Sequence, residues 1–220
     1  AILGLHVHPS LEVGHLGFHA GKYMASADEI YITVKGKGGH AAQPHLTVDT
    51  ILVASQLVVS LQQVISRNNN PFSPSVLSVC AFNGGFTTNV IPSEVKLMGT
   101  FRAMDETWRF KAHELIRKQA AGIAEATGAE IDIDILVGYP TLYNNEAVTG
   151  KARGFATDYL GAAQVGETEI RMGAEDFAFY SQVVPACFFR LGTGNAARGI
   201  TSGVHTPTFD VDEQAIEIGM

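Results

Sequence analysis

Eight histidines are spread over the 220 residues, and several stand beside glycine or proline, where a loop would expose the ring for chemistry. The stretch AILGLHVHP sets His6 and His8 inside an apolar, strand-like run. Side chains two apart on a strand share a face, so both rings could converge on one ion; histidine also packs in cores when its ring nitrogens find partners. On these nine residues alone the packed reading leads. His205, in SGVHTPTFDVDEQA, ends a glycine-containing loop ahead of Pro207 and reads by itself as a surface histidine at a turn. His40 follows two glycines in GKGGHAAQPH, a setting that either presents an imidazole to a substrate carbonyl or leaves it solvated. Glu175 and Asp176 in MGAEDFAFY are adjacent carboxylates at an expected helix start; neighbours on a helix do not share a face, which favours a structural role.

These groups need a scaffold. DEIYITVK (28–35) alternates as a strand, a glycine-rich loop follows, and an apolar-periodic helix is expected over 48–67. Strand-like runs over 75–83 and 94–104 are joined by GGFTTNVIPS, an amphipathic helix spans 106–127 before Gly128, and AEIDIDILVG is a last strand. The order β-α-β-β-α-β is that of a ferredoxin-like sandwich, four antiparallel strands with two helices on one face, over residues 26–138. Residues 1–25 carry strands without crossover helices. Residues 139–220 offer helices over 146–160 and 174–182, the strand ACFFRLG and the start of another helix. Both flanks read as pieces of one α/β domain into which the small domain is inserted.

Composition narrows the function. With 46% hydrophobic and 17% charged residues the chain is globular, and a net charge of −7 without a Lys/Arg cluster argues against nucleic acid and for a small-molecule substrate. The longest apolar run is too short and too polar for a bilayer, so no membrane partner is expected. Cys80 and Cys187 lack any CxxC spacing and read as core thiols in a reducing cytoplasm. A beginning inside a strand and an ending inside a helix lead us to read the chain as a fragment.

GLHVHP, GKGGHAAQPHLTVD, GGFTTNVIP, GTFRAMD, MGAEDFAFY and GVHTPTFDVDEQA, in this order, together resemble the metal-dependent amidohydrolase family of hippurate hydrolases, auxin-conjugate hydrolases and N-acetyl-diaminopimelate deacetylases. The resemblance implies a catalytic α/β domain around two divalent ions, zinc or manganese, and an inserted lid domain that forms a homodimer. It implies hydrolysis of the amide bond of N-acyl amino acids or small peptides by a metal-activated water. Carried onto this sequence, His6 and His205 match metal ligands, His40 an oxyanion donor that completes the partner subunit's site, Asn89 a neighbouring substrate contact, and Arg102 an arginine holding the substrate carboxylate. For Arg102 a surface salt bridge is nearly as good a reading, although a bidentate fork is chemically apt. His8 has no match and is expected to support or pack. Gly192 and Gly194 match a loop that meets substrate through its backbone.

The family's Cys-x-His pair, bridging carboxylate and general-base glutamate have no counterpart here. Two histidines cannot hold two ions and deprotonate a water, so the chain by itself is expected to be inactive. The alternative is a non-catalytic dimerisation or binding module on the same fold.

Overall fold

A computed structural model describes all 220 residues. The chain forms β1 (Ile2–Glu12), β2 (Leu16–Phe18) and β3 (Gly21–Met24), then β4 (Asp28–Lys35), β5 (Gly39–His40), α1 (Thr50–Asn68), β6 (Ser75–Asn83), β7 (Val90–Ile91), β8 (Glu94–Ala103), α2 (Glu106–Thr127) and β9 (Glu130–Val137). It continues through β10 (Leu142–Asn144), α3 (Glu146–Leu160), β11 (Val165–Glu167), α4 (Ala178–Ser181), β12 (Ala186–Gly194) and α5 (Gln214–Gly219). Two compact units result: one holds Ala25–Thr141 with Met172–Ala174, the other Ala1–Met24, Leu142–Arg171 and Glu175–Met220.

In the first of these, an antiparallel sheet runs in the order β6-β8-β4-β9, the ferredoxin-like arrangement of the β-α-β-β-α-β order. Alternation makes one face apolar: Ile30, Ile32 and Val34 of β4 and Val95, Leu97 and Phe101 of β8 are buried. On them pack Val53, Leu57, Leu61 and Val64 of α1 and Ala112, Ile116 and Ala120 of α2, spaced three and four apart as one helix stripe requires. Asp49 caps α1 by accepting from Ile51 and Leu52 N–H, and Asp105 caps α2 through Trp108 N–H, while Gly128 ends α2 at φ 73°. Helix α1 therefore starts two residues later than the periodicity predicts, at the first position its cap permits.

The other unit centres on β12, which pairs in parallel with β1 and antiparallel with β2 in the order β1-β12-β2-β11. Covered on both sides, eight of β12's nine residues are buried, as its near-continuous apolar run demands. A Cβ at Gly192 would stand 2.1 Å from the Glu12 carbonyl oxygen and one at Gly194 2.2 Å from that of Pro9. These glycines let two backbones approach where the β1·β12 register shifts between His8 and Glu12.

Two expectations fail here. Cys187 is buried, but Cys80 is exposed: a register shift between Val79 and Ala81 bulges β6, and Cys80 is the extra residue. The helix expected over 174–182 shrinks to Ala178–Ser181, with no side-chain cap at its start.

Candidate functional site

Parallel pairing places His6 opposite Arg190 and His8 opposite Gly192, so His6, His8 and Arg190 share one face of the sheet. The Nδ1 of His6 lies 2.8 Å from the Val7 carbonyl oxygen. Because a carbonyl only accepts, Nδ1 carries the proton and Nε2 keeps its lone pair, a tautomer in which Nε2 can ligate a metal. Glu175 lies near enough to His6 to feel its charge; burial first, then a hydrogen bond with Asp176, pushes its carboxyl above the usual range, and His6 opposes them. Glu175 and Asp176 are thus joined to each other in the turn before α4, whereas the expected helix would have parted them.

His8 meets Arg171, whose Nη2 lies 3.4 and 3.1 Å from the two ring nitrogens. Burial, then the charges of Arg171, Arg190 and His6, lower its pKa, so the ring is neutral near pH 7. Arg190 is 4% exposed. Its Nε donates to Tyr23 Oη at 3.0 Å, its Nη2 faces Met24 Sδ at 3.1 Å, and its charge lies over the rings of Tyr23 and Phe188.

His205 occupies an exposed turn with φ 63°, the one non-glycine residue in the left-handed region, a conformation that flags a position for functional scrutiny. The segment that carries it is closed at its base. Buried Asp212 accepts from Asn195 Nδ2 at 2.6 Å, Arg198 Nη1 at 3.0 Å and Gln214 N–H at 3.0 Å, and its own N–H donates to Thr193 O. No bond joins His205 to His6.

In the ferredoxin-like unit, β5 and β7 form a two-residue antiparallel ladder that pairs His40 with Val90. Ala41 N–H donates to Asn89 O at 3.0 Å, so His40 and Asn89, nearly fifty residues apart, lie side by side. His40 Nδ1 accepts from Ala42 N–H at 3.1 Å, which leaves the proton on Nε2 and makes this exposed nitrogen a donor. Gly38 permits the ladder, since a Cβ there would fall 2.6 Å from Ile91 O. Arg102, half-buried on β8, alternates with buried Phe101 and Ala103 and so points off the face that carries no helices. Arg171, Arg190 and Tyr23 were not singled out from the sequence. The one legible signal was an arginine inside the apolar run ACFFRLG.

His6 has the donor chemistry of a ligand to a divalent ion, but no three His, Cys, Asp or Glu side chains in the chain gather as a metal cage would require.

Comparison with known proteins follows this division. Residues 26–131 match the peptidase dimerisation domain model of the M20 family. The whole chain is similar to the N-acetyldiaminopimelate deacetylase of Exiguobacterium sibiricum, 37% identical over 213 residues, 97% of this chain and 56% of that protein. It is 37% identical over 216 residues to the N-acetyl-L-cysteine deacetylase of Bacillus subtilis, covering 98% of this chain and 50% of that protein. Among solved structures, the Bacillus subtilis YXEP protein, described as a dinuclear metal binding peptidase from the M20 family, superposes with a TM-score of 0.78 at 31% identity over 99% of this chain and 53% of that one. The chain spans about half the length of these relatives. The chain is thus similar at residues 26–131 to the peptidase dimerisation domain of the M20 family, and along nearly its whole length to two proteins named as deacetylases and to one peptidase described as of that family.

Proposed function

We propose that this chain is part of a metal-dependent amidohydrolase that releases the acyl group from N-acyl amino acids or small peptides, acting as a homodimer in the cytoplasm. The observation that carries this reading is His6: its Nδ1 proton is held by the Val7 carbonyl, its Nε2 is free, and two relatives that match nearly the whole chain are named as deacetylases. When bound, zinc or manganese would supply a water acidified by coordination. His6 and His205 would hold such ions, together with donors outside this chain. His40, a donor at Nε2, would hydrogen-bond to the oxygen that gains charge as the carbonyl becomes tetrahedral, serving the partner subunit's site, with Asn89 beside it. Arg102 would take the substrate carboxylate in its fork. Free Cys80 and Cys187 fit a reducing compartment, and no helix is long and apolar enough to cross a membrane.

The test is metal analysis and a panel of N-acyl amino acids, run on the chain extended to the length of its relatives. Two divalent ions per subunit, one loosened by His205→Ala, and turnover of at least one N-acyl amino acid are expected. Two ions retained at unchanged affinity in both His6→Ala and His205→Ala would overturn the ligand assignment. The 220-residue chain alone should turn over nothing with added zinc or manganese.

A further inference from the structure

Only two arginines, Arg109 and Arg190, are buried, and they are treated differently. Arg109 meets the carboxylates of Asp28 and Glu106. Arg190 meets none: its partners are a phenol, a thioether and two ring faces. A buried charge is expensive unless a counter-charge and hydrogen bonds compensate it, and with 22 acidic residues in the chain, acids were not scarce. Arg171, exposed against His8, also has no carboxylate, although Arg153 and Arg198 both do.

We propose that His8 and Arg171, with the buried charge of Arg190 reaching His8 from behind them, form a binding site for a single carboxylate group of a small-molecule ligand. Beside His8 opens a hollow of about 470 Å³, lined also by Ser10, Thr168, Glu169 and Arg171. A planar carboxylate matches a guanidinium fork, and a hydroxyl on the wall can donate a further bond. The class is narrowed by the acids present. Glu167, also on the wall, is engaged by Arg153 and His19, but Glu169 lines the hollow without such a partner, and an acidic side chain there works against a dianion such as phosphate more than against a monoanion. Binding here does not depend on the proposed hydrolysis and is measured without turnover.

The experiment titrates the 220-residue chain, ¹⁵N-labelled, with sodium acetate, following the Nε–Hε signals of Arg171 and Arg190; sodium chloride at equal ionic strength and sodium phosphate are the controls. Acetate should shift both signals saturably and chloride should not. Because a change at buried Arg190 can disturb its strand, exposed Arg171→Gln carries the decision: it should weaken acetate binding about tenfold, the worth of one charge-assisted hydrogen bond. No saturable shift, equal shifts with chloride (an adventitious ion only), or unchanged affinity in Arg171→Gln would each overturn the site. Tighter binding of phosphate than of acetate would overturn the carboxylate assignment.

Discussion

Arg109 and Arg190 are the same residue type at nearly the same depth, yet the first is embedded in countercharge and the second has none. Around Arg109, Asp28 accepts from its Nε at 2.9 Å and also from its Nη2, from His113 Nε2 at 2.7 Å and from Gly138 N–H at 3.2 Å. Glu106 accepts from Arg109 Nη1 and from Thr141 N–H, so one cluster ties the start of β4, helix α2 and the chain beyond β9 together. Such a network has no spare valence and can only hold structure. The charge of Arg190 is cushioned by polarisable groups and is neutralised by no carboxylate, so its field reaches His8. A buried cation with every partner supplied by the protein reads as scaffold; one without a counter-ion reads as a place where an anion arrives.

The largest effect that would sharpen this contrast is at Arg109. Arg109→Met strands the Asp28 carboxylate in the core, and breaking a buried pair from one side is expected to destabilise by ~3–5 kcal/mol, measured by urea unfolding followed at Trp108. A loss below about 1 kcal/mol would show that the cluster is not the scaffold its geometry implies.

The same cluster predicts an acid limit. Burial alone would raise the pKa of Asp28, but bonds from Arg109 and His113, the Arg109 charge and the Gly138 N–H overcome it and bring it from 3.8 to about 2. A carboxylate whose folded pKa is depressed stabilises the fold fully above its unfolded value, and that stabilisation, about 2 kcal/mol, is lost as pH falls through 3.8 towards 2. Stability profiles between pH 6 and pH 2 should therefore be steeper for the parent than for Asp28→Asn. Parallel profiles would remove Asp28 from the acid response.

At Arg190 the expectation reverses. With no partner carboxylate to strand, Arg190→Met replaces a buried charge by an apolar side chain of similar length, and stability should change by about 1 kcal/mol or less in either direction. A loss as large as that of Arg109→Met would show that the protein itself compensates Arg190 and would erase the contrast.

The scaffold was far more legible in the sequence than the face that carries Arg190. Periods of two and 3.6 residues separate strands from helices over 28–137, so the ferredoxin-like order could be read directly, whereas the Asp49 cap that moves the start of α1 was not. The β5·β7 ladder could not: two residues carry no period, and Gly38 and Gly39 read as a turn. The exposure of Cys80 follows from a one-residue bulge in an otherwise regular strand. The shortened α4 is preceded by turn bonds from Ala178 and Phe179 N–H to the Glu175 and Asp176 carbonyls in place of a continued helix. The residues on the open face meet across long separations: Arg171 reaches His8 across 163 positions, and Arg190 lies opposite His6 only through parallel register. For the site residues the reading rested on resemblance across six motifs, since each histidine taken alone had an ordinary packed or solvated alternative.

The smallest expected effect tests whether burial, rather than pairing as such, makes Arg109 matter. Arg153 on α3 donates from Nη1 to Glu167 Oε2 at 2.9 Å, as good a bond as several in the buried cluster, but its side chain is 44% exposed and that of Glu167 is 56% exposed. Water competes for both charges, salt screens them, and two long side chains lose freedom to meet, so such pairs are worth little. Arg153→Ala should lower stability by less than about 0.5 kcal/mol, a difference that shrinks further in 1 M sodium chloride. It also leaves Glu167, at the edge of the hollow beside His8, with His19 as its remaining partner, so the less compensated negative charge should weaken acetate binding there while unfolding hardly changes. A large loss of stability from this exposed pair would show that pairing dominates at any depth, and the distinction drawn between Arg109 and Arg190 would no longer rest on burial.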